Sequence, residues 1–246
     1  MRVAALVSGW PRFCRDFDSQ LEQLSRYNVD WYCAFWNPGG HQEDRRVSPG
    51  WKPETAEMAA QRISQYLPPN HRIALLELVN WAQCPPPKFQ HQGFYCNALG
   101  VHRQYSILQY IDLRRQQTLV HYDLVIRTRA DVGLRGQLDL ETALITLINR
   151  PEMLLLPQNE RRSTYNFCDM WCTALPQTMA VYTQVVNYFD QAHLNHGIVY
   201  NPEYLLGHIL SSQGLVWPLD QKFNLVREEQ GRYDSQGFIP EWGRWA

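Results

Sequence analysis

The residues with the clearest chemical potential lie together in Tyr122-Asp123-Leu124-Val125-Ile126-Arg127-Thr128-Arg129-Ala130-Asp131. An apolar, β-branched run reads as a buried strand, and it ends in two arginines and an aspartate. On an extended chain Arg127 and Arg129 share one face, with Asp131 next in the series. Charged groups are costly at the end of an interior strand unless something charged binds them. In open α/β sheets, ligands collect outside the carboxyl ends of the strands. Arg-x-Asp at such an end suits a polyphosphate: the guanidinium pairs with phosphate oxygens, and the carboxylate holds a divalent cation or a sugar hydroxyl. The competing account is an exposed salt bridge at a strand end.

Such a strand end needs a layered scaffold, and the chain supplies one. Arg2 to Val7 reads as a first strand, broken by Ser8-Gly9-Trp10-Pro11-Arg12. Phe17, Leu21 and Leu24 recur at helical spacing, and Asp30 to Trp36 is a second strand closed by Asn37-Pro38-Gly39-Gly40. A helix from Thr55 to Tyr66 and a strand from Ile73 to Val79 follow. Phe94, Ala98, Val101, Tyr105, Leu108 and Ile111 form the stripe of a long helix over 94–115, whose other faces carry Asn97, His102, Arg103 and Gln104. Beyond the Arg127 strand, Leu138 to Ile148 is helical and Met153 to Leu156 is a strand. Asn166 to Cys172 is strand-like, Gln177 to Asp190 helical, and Pro202 opens another helix. Val216 to Trp217 and Phe223 to Val226 are short strands before an aromatic tail. The alternation predicts one α/β, Rossmann-like domain over 1–246, with a central, mostly parallel sheet and helices on both faces. Residues 1–135 form its nucleotide half, and 136–246 its acceptor half and tail.

Composition narrows the partners. A net charge of −1 with no basic block argues against a nucleic-acid binder. No apolar run approaches the ~20 residues of a transmembrane helix, and the amino terminus has no signal-peptide core. A cytoplasmic protein is expected. Six cysteines contain no Cys-x-x-Cys pair and read as reduced, buried thiols. Nine tryptophans, thirteen tyrosines and nine phenylalanines are the compositional signal. Trp10, Trp36, Trp51, Trp81 and Trp171 adjoin turn or polar residues, where a ring at a pocket mouth can stack on a base or sugar. The aromatic tail could cover an acceptor or mediate self-association into a homo-oligomer.

Ser8-Gly9-x-x-Arg12 after the first strand, Arg-Thr-Arg-Ala-Asp131 after a later one, Phe167-x-Asp169 and Pro202-Glu203-x-x-Leu206 form an ordered set. That set resembles GT-A-type glycosyltransferases, most closely small bacterial and viral enzymes acting on surface polysaccharide. The resemblance covers most of residues 1–227, and its central motif is the specific part. It implies transfer of a sugar from a nucleotide-diphosphate donor to a hydroxyl of a glycan, lipid-linked or protein acceptor. The family's Asp-x-Asp holds a divalent cation, Mn²⁺ or Mg²⁺. Here Arg129 stands in place of the first aspartate and Asp131 keeps the last position. An arginine there can itself neutralise the diphosphate. Ser8, Gly9, Arg12, Trp36, Asn37, Asn97, Arg103, Arg127, Arg129 and Asp131 form the expected donor site. Asp131 and His208 are the expected metal ligands, although a lone histidine on an apolar helix is commonly structural. Asp169, the one carboxylate in the run Tyr165 to Leu175, is the candidate base or acceptor anchor, against a turn-capping role. A non-catalytic nucleotide- or glycan-binding module is the alternative, motivated by the missing first aspartate. Ser8-Gly9-Trp10 has neither a Gly-x-Gly-x-x-Gly nor a Lys-Ser/Thr signature, and Gly-x-Ser-x-Gly is absent.

Overall fold

A computed structural model describes residues 1–9, 17–37, 64–65, 67–80, 98–130, 132–157, 167, 170–216, 219–221 and 223–226. The first strand, β1 (Arg2–Gly9), buries Val3 to Val7 completely. A strand apolar on both faces must be covered on both, which selects a parallel sheet between helices. Helix α1 (Phe17–Leu24) and strands β2 (Asn28–Asn37) and β3 (His71–Asn80) follow, then α2 (Ala98–Gln117) and β4 (Leu124–Thr128). These four strands run parallel in the order β3-β2-β1-β4. At the far edge β7 (Cys172–Ala174) pairs antiparallel with β4, giving five strands in a mostly parallel sheet.

Alternation along β2 shows that both faces are covered. Trp31 packs against Phe17 of α1 with ring centroids 5.7 Å apart, whereas the Tyr32 hydroxyl lies 3.3 Å from Thr118 Oγ1 at the end of α2. The amino ends of the strands are tied by Asp30, which accepts from Tyr122 Oη at 2.7 Å, from Arg2 and from Arg72. Burial alone would raise the Asp30 carboxyl, but the donors from Arg72, Tyr122 and Arg2 together hold it below the usual carboxylate range.

Smaller elements flank the sheet: β5 (Gly133–Gly136), α3 (Leu140–Asn149) and β6 (Leu156–Pro157) precede β7. After β7 come α4 (Pro176–Thr183), a 3₁₀ turn (Gln184–Tyr188), α5 (Phe189–His196), α6 (Pro202–Ser212), β8 (Leu219–Gln221) and β9 (Phe223–Val226). The expected single helix from Gln177 to Asp190 is therefore broken in its middle. There Thr183 Oγ1 bonds Asp112 Oδ2 at 3.0 Å, and β-branched Val185 and Val186 occupy the tightened turn. Of the strand expected at Asn166–Cys172, Asn166, Cys168 and Asp169 lie outside the described residues; Cys172 begins β7, and the Phe167 amide bonds the Glu203 carbonyl on α6. At α6 the expected Pro202 start holds, with Asn201 accepting from the amides of Glu203 and Tyr204. The expected Thr55–Tyr66 helix lies mainly outside the described residues. Among the described residues no helix is long and apolar enough to cross a membrane.

Candidate functional site

The sheet order contains a reversal. From β1 the chain moves outward to β2 and β3, then returns to place β4 on the other side of β1. In sheets of this kind, the carboxyl ends of the two strands flanking the reversal open a crevice for ligands. Here those ends are Ser8-Gly9 and Thr128-Arg129, set side by side by the pairing of Val7 with Thr128.

Ser8 is 3% exposed, and its Oγ has no hydrogen-bond partner among the described residues. A buried hydroxyl without a partner costs free energy unless a ligand or water completes it. Gly9 follows at φ +122°, a backbone conformation that side-chain-bearing residues rarely adopt, and among the described residues an added Cβ would meet nothing within 4 Å.

Across the crevice, α1 holds the turn after β4. The fully buried Gln20 amide donates from Nε2 to the carbonyl of Arg129 at 3.0 Å and to that of Val132 at 2.5 Å. Its Oε1 accepts from Thr128 Oγ1 at 3.0 Å. On the same helix, Ser19 Oγ accepts the Leu134 amide at 2.7 Å, and Gln23 bonds the Leu138 amide and the Gly136 carbonyl. One polar edge of α1 therefore fixes the backbone on both sides of position 131. Gln20 belongs to none of the sequence motifs; its one signal is its place in the buried Phe17, Gln20, Leu21, Leu24 series, which puts a polar residue on the apolar stripe of α1.

The two arginines have different environments. Arg127 is fully buried, and its strand partner across the β4–β7 ladder is Cys172. Burial pushes the Cys172 thiol up to about 12, opposed by the Arg127 charge and the Tyr182 hydroxyl. Arg129 is half-buried and lies past the end of β4. Strand alternation ends with β4 at Thr128, so Arg129 follows the strand and does not belong to it, and Asp131, the third residue of the expected common face, lies outside the described residues. Arg103 is half-buried in the first turns of α2. That helix leads into the amino end of β4, which puts its own beginning toward the carboxyl edge of the sheet.

Trp36 is 2% exposed and Trp171 is fully buried; both are core residues and not open stacking platforms. Trp36 and Asn37 are the last two residues of β2, at the same sheet edge as the crevice. Arg12, Asn97, Asp131 and Asp169 lie outside the described residues, as do Trp10, Trp51 and Trp81. His208 is half-buried on α6, with its ring 5.2 Å from that of His196 at the end of α5. Among the described residues no three His, Cys, Asp or Glu side chains gather as a metal site.

The arrangement places a buried hydroxyl on β1, Gly9 and Arg129 at neighbouring strand ends. Comparison with models of known protein families and with curated proteins finds no match to the chain.

Proposed function

We propose that the chain is a glycosyltransferase that moves a sugar from a nucleotide-diphosphate donor to a hydroxyl acceptor on a glycan, a lipid-linked glycan or a protein. The observation that carries this reading is the pairing that sets the carboxyl ends of β1 and β4 side by side, with Ser8 Oγ buried and without a hydrogen-bond partner among the described residues, Gly9 at positive φ, and Arg129 directly after β4. Its position at the sheet reversal is where a nucleotide fits an α/β layer. In the proposed reaction the acceptor oxygen bonds the anomeric carbon as the bond from that carbon to the diphosphate breaks. The diphosphate takes the electron pair, and Arg129 with Ser8 stabilises the charge it gains. The acceptor proton passes to Asp169. Asp131 is assigned to the donor's diphosphate end, and a divalent cation, if bound, would supply further charge neutralisation there. We assign the work to the cytoplasm, where nucleotide sugars are made.

A thermal-shift panel of nucleotides and nucleotide sugars, with and without Mn²⁺, tests donor binding, and release of nucleoside diphosphate tests turnover. Asp131→Asn should abolish transfer with a nearly unchanged melting temperature. Asp169→Asn should lower turnover by roughly two to four powers of ten if it is the base, with donor binding intact. The second reading, a binding module without catalysis, is favoured by Arg129 standing where a metal-binding carboxylate is expected. Nucleotide-dependent stabilisation without turnover across the panel would support it. No response to any nucleotide would defeat the transferase and a nucleotide-binding module alike, leaving only the glycan-binding form of the second reading.

A further inference from the structure

At the opposite, amino edge of the sheet, a groove of about 570 Å³ lies between the end of α2, the loop into β4, α3 and the start of α4. Its volume falls within the range of about 300–1,000 Å³ common for small-molecule sites. Apolar walls come from Val120, Leu144, Ile148 and Leu175, and Arg115 lies among them. Arg115 is 5% exposed, yet its guanidinium makes only one hydrogen bond among the described residues: Nε to Asp112 Oδ1 at 2.7 Å. Asp112 accepts also from Gln116 Nε2 at 2.8 Å and Thr183 Oγ1 at 3.0 Å. The carboxylate therefore anchors the guanidinium by its Nε edge and leaves the donors on Nη1 and Nη2 for whatever enters the groove.

A second feature converges on the same space. Helix α4 begins with Leu175 as its cap, with no side-chain hydrogen bond, and with Pro176 in the first turn. The first-turn amides of Gln177 and Thr178 have no preceding helical carbonyl to bond, and they carry the positive end of the helix dipole. Leu175, Pro176 and Gln177 all line the groove. A buried arginine with uncommitted donors and an uncapped helix start share a groove whose lining mixes the apolar Val120, Leu144, Ile148 and Leu175 with the polar Gln116, His121 and Asp123, an arrangement that offers an anion both a charged anchor and an apolar surface.

We propose that this groove is a second ligand site, for a small amphipathic carboxylate. Its charged group sits between Arg115 and the start of α4, and its apolar body packs on Leu144, Ile148 and Leu175. A single negative charge fits better than a dianion, because Asp112 already balances the arginine and Asp123 also lines the groove. The site is remote from the β1–β4 crevice, and its ligand need not resemble a nucleotide.

The probes are benzoate, phenyl phosphate and benzyl alcohol, titrated into the full chain and followed by protein-observed NMR. Saturable benzoate binding is expected, with shifts confined to the ends of α2 and α4, and with phenyl phosphate and benzyl alcohol each at least tenfold weaker. Gln177→Glu puts a carboxylate in the first turn of α4, where it favours the helix and repels the ligand, so the fold is kept and benzoate affinity should fall at least tenfold. Arg115→Lys keeps a cation for Asp112 but removes the fork, with a similar loss expected. Equal binding of benzyl alcohol, unchanged affinity in Gln177→Glu, or shifts centred on Ser8 and Arg129 would overturn the assignment. Nucleotide-induced stabilisation should be the same in wild type and Gln177→Glu, which separates this test from that of the donor site.

Discussion

Gln20→Leu is the substitution that most directly tests how the crevice is built. The change nearly conserves volume, so its cost is mainly the loss of three hydrogen bonds: to the carbonyls of Arg129 and Val132, and from Thr128 Oγ1. A net contribution of about 1 kcal/mol for each bond gives roughly 3 kcal/mol. The buried Val132 carbonyl pushes the figure upward, toward about 4, since a polar group left unsatisfied loses about 1–3 kcal/mol. The carbonyl of Arg129 is nearer solvent and can recover a water, which pulls the figure back. Urea unfolding followed by far-UV circular dichroism should thus show a loss of about 3 kcal/mol at unchanged slope. Thr128→Val removes only one of the three bonds and should cost about 1 kcal/mol. The double variant should cost less than the sum of the two, because the bond between the two side chains would be counted twice. A cost below about 1 kcal/mol for Gln20→Leu, or strict additivity, would refute the clamp, given that uncoupled sites add within about 0.5 kcal/mol. If stability falls as expected while nucleotide binding is unchanged, the clamp is structural and does not position the proposed donor site.

His71 should titrate below its ordinary value, since burial disfavours its charged form and only the Leu24 carbonyl opposes this. Its Nδ1 accepts from Trp31 Nε1 at 3.2 Å, so the proton belongs on Nε2 and the added proton has no acceptor. The unfolded chain then binds the extra proton, and stability should fall as pH drops below about 6.5. An NMR titration placing His71 at or above that value would contradict this. Gly9→Ala should destabilise by about 1–3 kcal/mol through backbone strain at φ +122°, as no described residue lies within 4 Å of the added methyl group. A neutral result in thermal unfolding would mean that the strand end relaxes freely. Cys33 and Cys172 are buried and their thiols raised, so neither should react with maleimide at pH 8 until the protein unfolds. Labelling of either in the native state, mapped by mass spectrometry, would show that the core opens.

The parallel strands were legible because each is an apolar run closed by a turn, and their observed limits differ from the expected ones by one or two residues. β5 left no trace of that kind. Gly133–Gly136 becomes a strand only by pairing with Phe223–Val226, some ninety positions onward, and local pattern carries no such information. The long helix was visible from its stripe, but the buried Asp112–Arg115 pair on its flank was not. Charges read as solvent-facing until a neighbour such as Thr183 is known to meet them. In the same way, Arg127 and Arg129 looked equivalent in the sequence, and only the end of β4 separates them. For the crevice itself, the sequence indicated which strand ends carry polar residues. The adjacency of β1 to β4 is topology, and it emerges only when the crossover is drawn.

That adjacency also shapes how the chain must be made. The central strand β1 is made well before its second neighbour, which begins at Leu124, 121 positions after Val3. At about 5–20 residues per second, some 6–24 seconds separate the synthesis of the two. Throughout that interval Val3 to Val7 offers an apolar strand with one edge bare, able to pair with another nascent copy. Slowing translation upstream of Leu124 should therefore raise the fraction recovered in aggregates, whereas the same pause placed after Ala174, when all five sheet strands exist, should not.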